Sequence, residues 1–191
     1  HKVFNELGNK AVYLQMGTRG ENLLHPEFFE FIRFIKSKNE MSYICLNTNG
    51  YIIDDHMMLM LVESGIDQVV FSLQTLNPQL YEKITGSLHH QKIIDRIIKF
   101  KKEIGRQGSK MFLSVQFLAF PENLPYQQEF VDFWQAHNID IQIQRLHSWG
   151  DKFYIDDSSP DEERYPCPYL WLYPTVTHTG KLTTCFADFF D

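Results

Sequence analysis

Apolar positions along the chain fall into two alternating patterns. Five short runs, residues 11–16, 43–46, 68–71, 111–115 and 139–144, read as strands. Between them lie longer stretches with helical spacing. Val3, Phe4 and Leu7 mark the tail of a first helix. Phe28, Phe29, Ile32 and Ile35 share one face of a second, which Pro26 opens. Met58, Leu61 and Val62 point inward from a third, capped by Asp54 and stopped at Gly65. Ile93, Ile94, Ile97, Ile98 and Ile104 form the clearest stripe; Lys and Arg fill the opposite face, and Gly105 ends the helix. Phe130, Phe133 and Trp134 are the buried side of a helix over 126–137.

Strands that alternate with helices predict a parallel sheet and an α/β fold. Such sheets place all their strand carboxyl ends on one rim, where sites are built. Each predicted strand here ends in polar residues: 17–21, 47–50, 72–75, Gln116 with 121–123, and 145–149. The alternation continues to about residue 148. Acidic residues and Ser158-Ser159-Pro160 then suggest an exposed linker, and the tail suggests a hairpin of 171–177 and 181–185 joined at 178–180. The expected organisation is a barrel-like domain over 1–149, a linker over 150–166 and a separate element over 167–191.

Composition narrows the function classes. The 191 residues are 43% hydrophobic and 15% aromatic, enough for a packed core. A net charge of −6 with no basic stripe argues against a nucleic-acid partner. No apolar run reaches membrane-spanning length, and no signal peptide is visible. A cytoplasmic protein is therefore expected, with its cysteines reduced. The chain starts at His1 and ends at Asp191 just after a strand-like pair, so it reads as a piece of a longer protein.

Several strand-end residues are candidates for chemistry. The Gly17–Glu21 turn combines backbone N–H groups with a carboxylate, which suits a zwitterion; an ordinary βα loop also looks like this. Asn49 offers donor and acceptor, or simply a turn before Gly50. Ser72 and Gln74 suit ribose hydroxyls, or solvent. Gln116 lies between Val115 and Phe117 and, if buried, must be hydrogen-bonded, since an orphaned amide costs roughly 1–3 kcal/mol. Cys45 reads as a small core residue. Cys167 and Cys185 are brought near each other by a hairpin. A disulfide, a zinc site completed by His178 and Asp188, and part of an iron–sulfur site are all open, although His178 falls at the hairpin tip.

Taken together, the motifs resemble a known family. Arg19-Gly20-Glu21-Asn22-Leu23-Leu24-His25-Pro26 is similar to the Gly-Gly-Glu-Pro stretch of radical S-adenosylmethionine (SAM) enzymes. Thr48-Asn49-Gly50, Gly65-Ile66-Asp67, Phe71-Ser72-Leu73 and Tyr81–Gly86 follow in that superfamily's order. Cys167, Gly180 and Cys185, with Pro168, Trp171 and Asp188 around them, resemble the opening of its SPASM extension.

The resemblance implies an incomplete (β/α)6 radical SAM barrel and the start of a SPASM hairpin. It implies SAM across the strand ends, with Gly20 and Glu21 receiving its amino group, Ser72 and Gln74 near the ribose, and Asn49 and Gln116 lining the pocket. A reduced [4Fe-4S] cluster would cleave SAM to a 5′-deoxyadenosyl radical that attacks a peptide or small-molecule substrate. The electron donor would be a flavodoxin or ferredoxin. Cys167 and Cys185 would ligate an auxiliary iron–sulfur cluster. No particular catalytic residue is singled out. The family's Cys-x-x-x-Cys-x-x-Cys loop is missing from this sequence and is expected upstream of His1, so the chain alone should be inactive and its unpaired 11–16 edge should promote self-association. Arg19, Asn22 and Gln74 also depart from the family's usual residues. The alternatives are an inactive barrel that binds SAM or a peptide, and an aldolase-like lyase, for which a strand-end Lys is lacking and only His147 offers itself.

Overall fold

The computed structural model describes residues 2–10, 12–17, 20–146 and 166–185, which divide into a first unit over His1–Gln144 and a second over Arg145–Asp191. Arg19, His147, the acidic stretch 150–165 and Asp188 lie outside the described residues.

The first unit runs α1 (Lys2–Leu7), β1 (Tyr13–Met16), α2 (Phe28–Lys38), β2 (Tyr43–Thr48), α3 (Asp55–Glu63), β3 (Gln68–Gln74), α4 (Pro78–Thr85), α5 (His90–Arg106), β4 (Phe112–Ala119), α6 (Gln127–Ala136) and β5 (Asp140–Arg145). Short 3-10 turns at Asn22–Leu24 and Leu124–Tyr126 follow β1 and β4. The strands form one sheet in the order β1-β2-β3-β4-β5, with parallel pairing from β1 through β4 and β1 at an edge. This is the parallel sheet that the alternation predicts, and it fits the incomplete barrel that the resemblance implies.

The pleat sorts residues into two faces. Ile44, Leu46, Val69, Phe71, Leu73, Leu113, Val115 and Phe117 turn toward the helices and join Ile32, Ile35, Leu61, Ile97, Phe100, Phe130 and Trp134 in one core. Phe117, Phe130 and Trp134 meet edge to face, with centroids 5.1 and 6.1 Å apart. The opposite face carries Gln15, Cys45, Asn47, Gln68, Ser72, Ser114, Gln116 and Gln142.

That alternation corrects several expected boundaries. β2, β3 and β4 run past their predicted ends and take Asn47, Thr48, Ser72, Gln74 and Gln116 into the sheet. At Asn47, Ser72 and Gln116 polarity marks the face turned from the core, while the alternate residues Leu46, Thr48, Leu73 and Phe117 stay buried. β1 and β5 each begin later than predicted. α5 passes through Gly105, and the left-handed reversal comes at Gly108 (φ 63°). α2 starts at Phe28, two residues after Pro26. α4 was not expected as a helix; Asn77 caps it by accepting from the Leu80 N–H at 2.9 Å, and Gly86 ends it in the left-handed region.

In the second unit the expected long hairpin is short. Trp171 belongs to a helical turn, α7 (Tyr169–Leu172), where its N–H donates to the Pro168 carbonyl at 3.1 Å. Only β6 (Thr175–Val176) and β7 (Leu182–Thr183) pair, antiparallel, around Gly180. Among the described residues no helix is long and apolar enough to cross a membrane.

Candidate functional site

Two glycines shape the rim at the strand carboxyl ends. Gly17 leaves β1 at φ 93°, and a Cβ there would lie 2.6 Å from the Asn47 carbonyl oxygen. Gly50 leaves β2 at φ 73°, and a Cβ there would lie 2.7 Å from the Phe71 ring. Only glycine lets both loops lie this close to the sheet.

Glu21 enters between them. Its Oε2 accepts from the Thr48 hydroxyl at 3.1 Å and from the Asn49 N–H at 2.9 Å. Its Oε1 is buried with no hydrogen-bond partner among the described residues, and the same holds for Asn22 Nδ2. The Asn49 side-chain oxygen is spent locally on the Tyr51 N–H at 2.8 Å. A carboxylate with one oxygen anchored and the other open is a receptor for a cationic N–H group.

Beside Asn49 opens a cleft of about 540 Å³, within the range of small-molecule sites. Asn49, Ser72 and Gln74 form its polar wall; Tyr51, Tyr81, Leu88, His89 and Ile93 form its aromatic and apolar wall. The Tyr51 and His89 rings meet at 4.9 Å. Burial pushes the Tyr81 hydroxyl above its ordinary pKa, so it stays protonated at neutral pH. Arg96 on α5 donates to the carbonyls of Gly50 and Tyr51 and fixes this lip.

Gln74 is strained. It holds φ 72° where the β3–β4 register slips between Phe71 and Gln74, a bulge that re-aims the side chain. Asn123 secures it: the Nδ2 group donates to the Gln74 carbonyl at 2.9 Å and to the Leu118 carbonyl at 2.7 Å, tying two strand ends together. Gln74 Oε1 and Asn123 Oδ1 are both buried without a partner among the described residues. Of the buried polar atoms left open, all but Trp134 Nε1 lie on this rim.

The expected site residues can now be placed. Glu21 touches Asn49, and Asn49 shares one cleft with Ser72 and Gln74. Gly20 is exposed at φ 73° in the loop before Glu21. Gln116 follows Val115, the register partner of Phe71, so it lies on the same sheet face as Ser72, but it does not line the cleft. Thr48, Tyr51, His89 and Asn123 were not singled out as site residues. Thr48 and Asn123 fall in the polar strand-end clusters, whereas nothing in the local sequence marks Tyr51 or His89. Cys45 is buried in β2, and burial pushes its thiol pKa up. Cys167 is exposed and Cys185 half-buried, both free thiols rather than a disulfide. Among the described residues no three His, Cys, Asp or Glu side chains gather to hold a metal ion.

A second groove of about 530 Å³ runs between α3 and α5. Its charges partly satisfy one another, with Lys99 and Asp55 paired at 2.6 Å, and it opens among the helices rather than at the strand ends.

Comparison with known proteins gives a consistent picture. Residues 3–122 match the family described as the radical SAM superfamily. The GTP 3′,8-cyclase of Microcystis aeruginosa is 39% identical over 84 residues, 41% of this chain and 25% of that protein. The probable GTP 3′,8-cyclase of Methanococcus aeolicus is 31% identical over 149 residues, 75% of this chain and 48% of that protein. This chain thus spans half or less of these relatives' length. Among solved structures, Streptococcus suis SuiB bound to the precursor peptide SuiA superposes with a TM-score of 0.57 at 20% identity, covering 72% of this chain and 29% of that one. That likeness bears on the fold alone.

SAM and a [4Fe-4S] cluster are the groups this family implies. The two-walled cleft with its unpartnered Gln74 oxygen fits SAM, and the unpartnered Glu21 oxygen lies beside that cleft, behind Asn49, rather than in its lining. The cluster does not fit the cysteines present: Cys45, Cys167 and Cys185 are far apart in sequence, and no Cys-x-x-x-Cys-x-x-Cys triplet occurs.

Proposed function

The chain belongs to the radical SAM superfamily, and on that footing we propose that it forms the SAM-binding part of an enzyme that takes a hydrogen atom from a peptide or small-molecule substrate. The observation that carries this reading is Glu21: one oxygen is held by Thr48 and Asn49 while the other is buried and open at the strand ends.

SAM, when bound, supplies a 5′-deoxyadenosyl group for one-electron chemistry, with a flavodoxin or ferredoxin as reductant. Glu21 Oε1 receives the ammonium of its methionine part. Ser72 and Gln74 meet the ribose hydroxyls, and Gln116 extends the polar wall along β4. Tyr51 and His89 give the flat base an aromatic surface; base–aromatic stacking is worth about 1–3 kcal/mol. The sheet orients these groups. Cys167 and Cys185 would supply two thiolates to an auxiliary iron–sulfur cluster in a SPASM-type element over 167–191, its remaining ligands coming from outside the described residues. The Cys185 end of that element is braced by Thr183, whose hydroxyl donates to the Cys185 carbonyl at 3.2 Å.

Isothermal titration of the full-length gene product with S-adenosylhomocysteine tests the binding claim. Saturable one-to-one binding that weakens at least tenfold in Tyr51→Ala is expected. Reconstitution with iron and sulfide should then give 5′-deoxyadenosine from SAM. Absence of binding to either compound defeats the reading.

A further inference from the structure

The sheet face turned away from the helices carries a network of neutral side chains. The Tyr13 hydroxyl donates to Gln15 Oε1 at 3.0 Å, and Gln15 Nε2 donates to Asn47 Oδ1 at 2.8 Å. One row over, the Tyr43 hydroxyl donates to Gln68 Oε1 at 3.3 Å. Gln68 Nε2 donates to Ser114 Oγ at 3.4 Å, and Gln142 Nε2 donates to the same hydroxyl at 3.2 Å. The first chain joins β1 to β2 and the second joins β2 through β5, so together they touch all five strands.

Among the described residues, Asp140 is the one charged group that strand alternation puts on this face. Among the described residues no Lys or Arg lies in β1 to β4; the one strand cation, Arg145, ends β5 and alternates with Ile141 and Ile143 rather than with Gln142. The other described cations of the first unit sit on helices, apart from Lys10 and Lys110 in loops that lead into β1 and β4. The single strand acid is Asp140, at the amino end of β5. Amides differ from cations in what they recognise. Each Gln or Asn offers two donor hydrogens and a carbonyl with two lone pairs, so it keeps capacity after its bond within the sheet. A polyphosphate instead needs Arg or Lys forks to replace its hydration. Laid on this face, it would lose water and gain no countercharge.

We infer that the substrate portion seated on this face is an uncharged stretch of peptide, read by its amides, and not a nucleoside triphosphate. The inference rests on the SAM-site reading only for where substrate meets cofactor. A peptide matches the network because its backbone alternates N–H donors with carbonyl acceptors. Half-buried Gln116 and Gln142 and exposed Gln15 are the positions such a segment can reach. The inference departs from the name its relatives carry, GTP 3′,8-cyclase, whose named substrate bears a triphosphate.

Affinity selection with mass-spectrometric readout tests this on the full-length gene product saturated with S-adenosylhomocysteine. The probes are GTP and two pools of acetylated, amidated hexapeptides. One pool is randomised over Gly, Ala, Ser, Thr, Asn, Gln, Leu and Phe; the other also contains Asp, Glu, Lys and Arg. Retention of neutral sequences at least tenfold above the charged ones is expected, with no saturable retention of GTP. Gln142→Leu should lower peptide retention at least fivefold, and Gln142→Asn should recover part of it. Saturable GTP binding, preference for charged peptides, or no retention of either pool each overturns the inference. Loss of S-adenosylhomocysteine binding itself would instead defeat the SAM-site reading.

Discussion

The two rims of the sheet are built on opposite rules. At the amino ends of the strands every principal group is matched. Lys36 Nζ donates to the Ser42 carbonyl at 2.6 Å and to Asp67 Oδ2 at 2.7 Å. The same Asp67 oxygen accepts from the Ile44 N–H at 2.7 Å, and the Ser42 hydroxyl accepts from the Val12 N–H at 3.2 Å. At the carboxyl ends, Glu21, Asn22, Gln74 and Asn123 each keep a buried atom unmatched. An unmatched buried polar group costs about 1–3 kcal/mol, so four on one rim and none on the other among the described residues is a costly asymmetry. It is understandable if a ligand completes the open rim. One rim holds the sheet together; the other holds something else.

Substitutions can break that comparison. The largest stability effect belongs to the closed rim. Asp67→Ala removes a half-buried ion pair and the acceptor of the Ile44 N–H, and should cost about 2–3 kcal/mol in urea unfolding. Its affinity for S-adenosylhomocysteine should stay within about twofold under folding conditions. Gly50→Ala comes next. It meets the Phe71 ring and forces alanine to φ 73°, for about 2 kcal/mol.

Glu21→Gln should reverse the pattern. Its amide oxygen can still accept from Thr48 and Asn49, so stability should change by less than about 1 kcal/mol. Affinity for S-adenosylhomocysteine should fall about tenfold, or 1.4 kcal/mol, because the ammonium loses its carboxylate. Equal losses of stability and affinity would show that Glu21 is structural.

The smallest effect sharpens the comparison from outside both rims. Near the end of α5, Glu103 is held at a pKa of about 2 by its hydrogen bonds from Arg106 and Gln107. A depressed carboxylate contributes stability above its unfolded value, near 4.3, and loses it as pH falls toward 2. Glu103→Gln should flatten only that acid limb of a thermal-melt series and leave ligand affinity unchanged.

Much of the fold was legible because its core follows simple periods. The α5 isoleucines and the paired runs of β2, β3 and β4 announce themselves. What misled was polarity at strand ends. Asn47 looks like the start of a loop, and Ser72 and Gln116 like strand ends, yet all three continue the pleat on a face that the core does not claim. Trp171 misled in the other direction, since an apolar run after Pro168 suits a helical turn as well as a strand. In the site, Glu21, Asn49, Ser72 and Gln74 could be proposed because their motifs occur in a recognisable order. Tyr51 and His89 could not. They are brought together by the packing of α5 against the end of β2, a long-range consequence with no local signature. The amide network was hidden for a similar reason: its partners lie one strand apart in space and some 25 to 46 residues apart in sequence.

The most direct test is amide hydrogen exchange of the full-length gene product with and without saturating S-adenosylhomocysteine. Slowed exchange is expected in segments 20–24, 47–51 and 72–76, with 42–44 and 66–68 unchanged. Protection spread evenly over both rims, or confined to the amino-end rim, would contradict the assignment of the open rim to SAM.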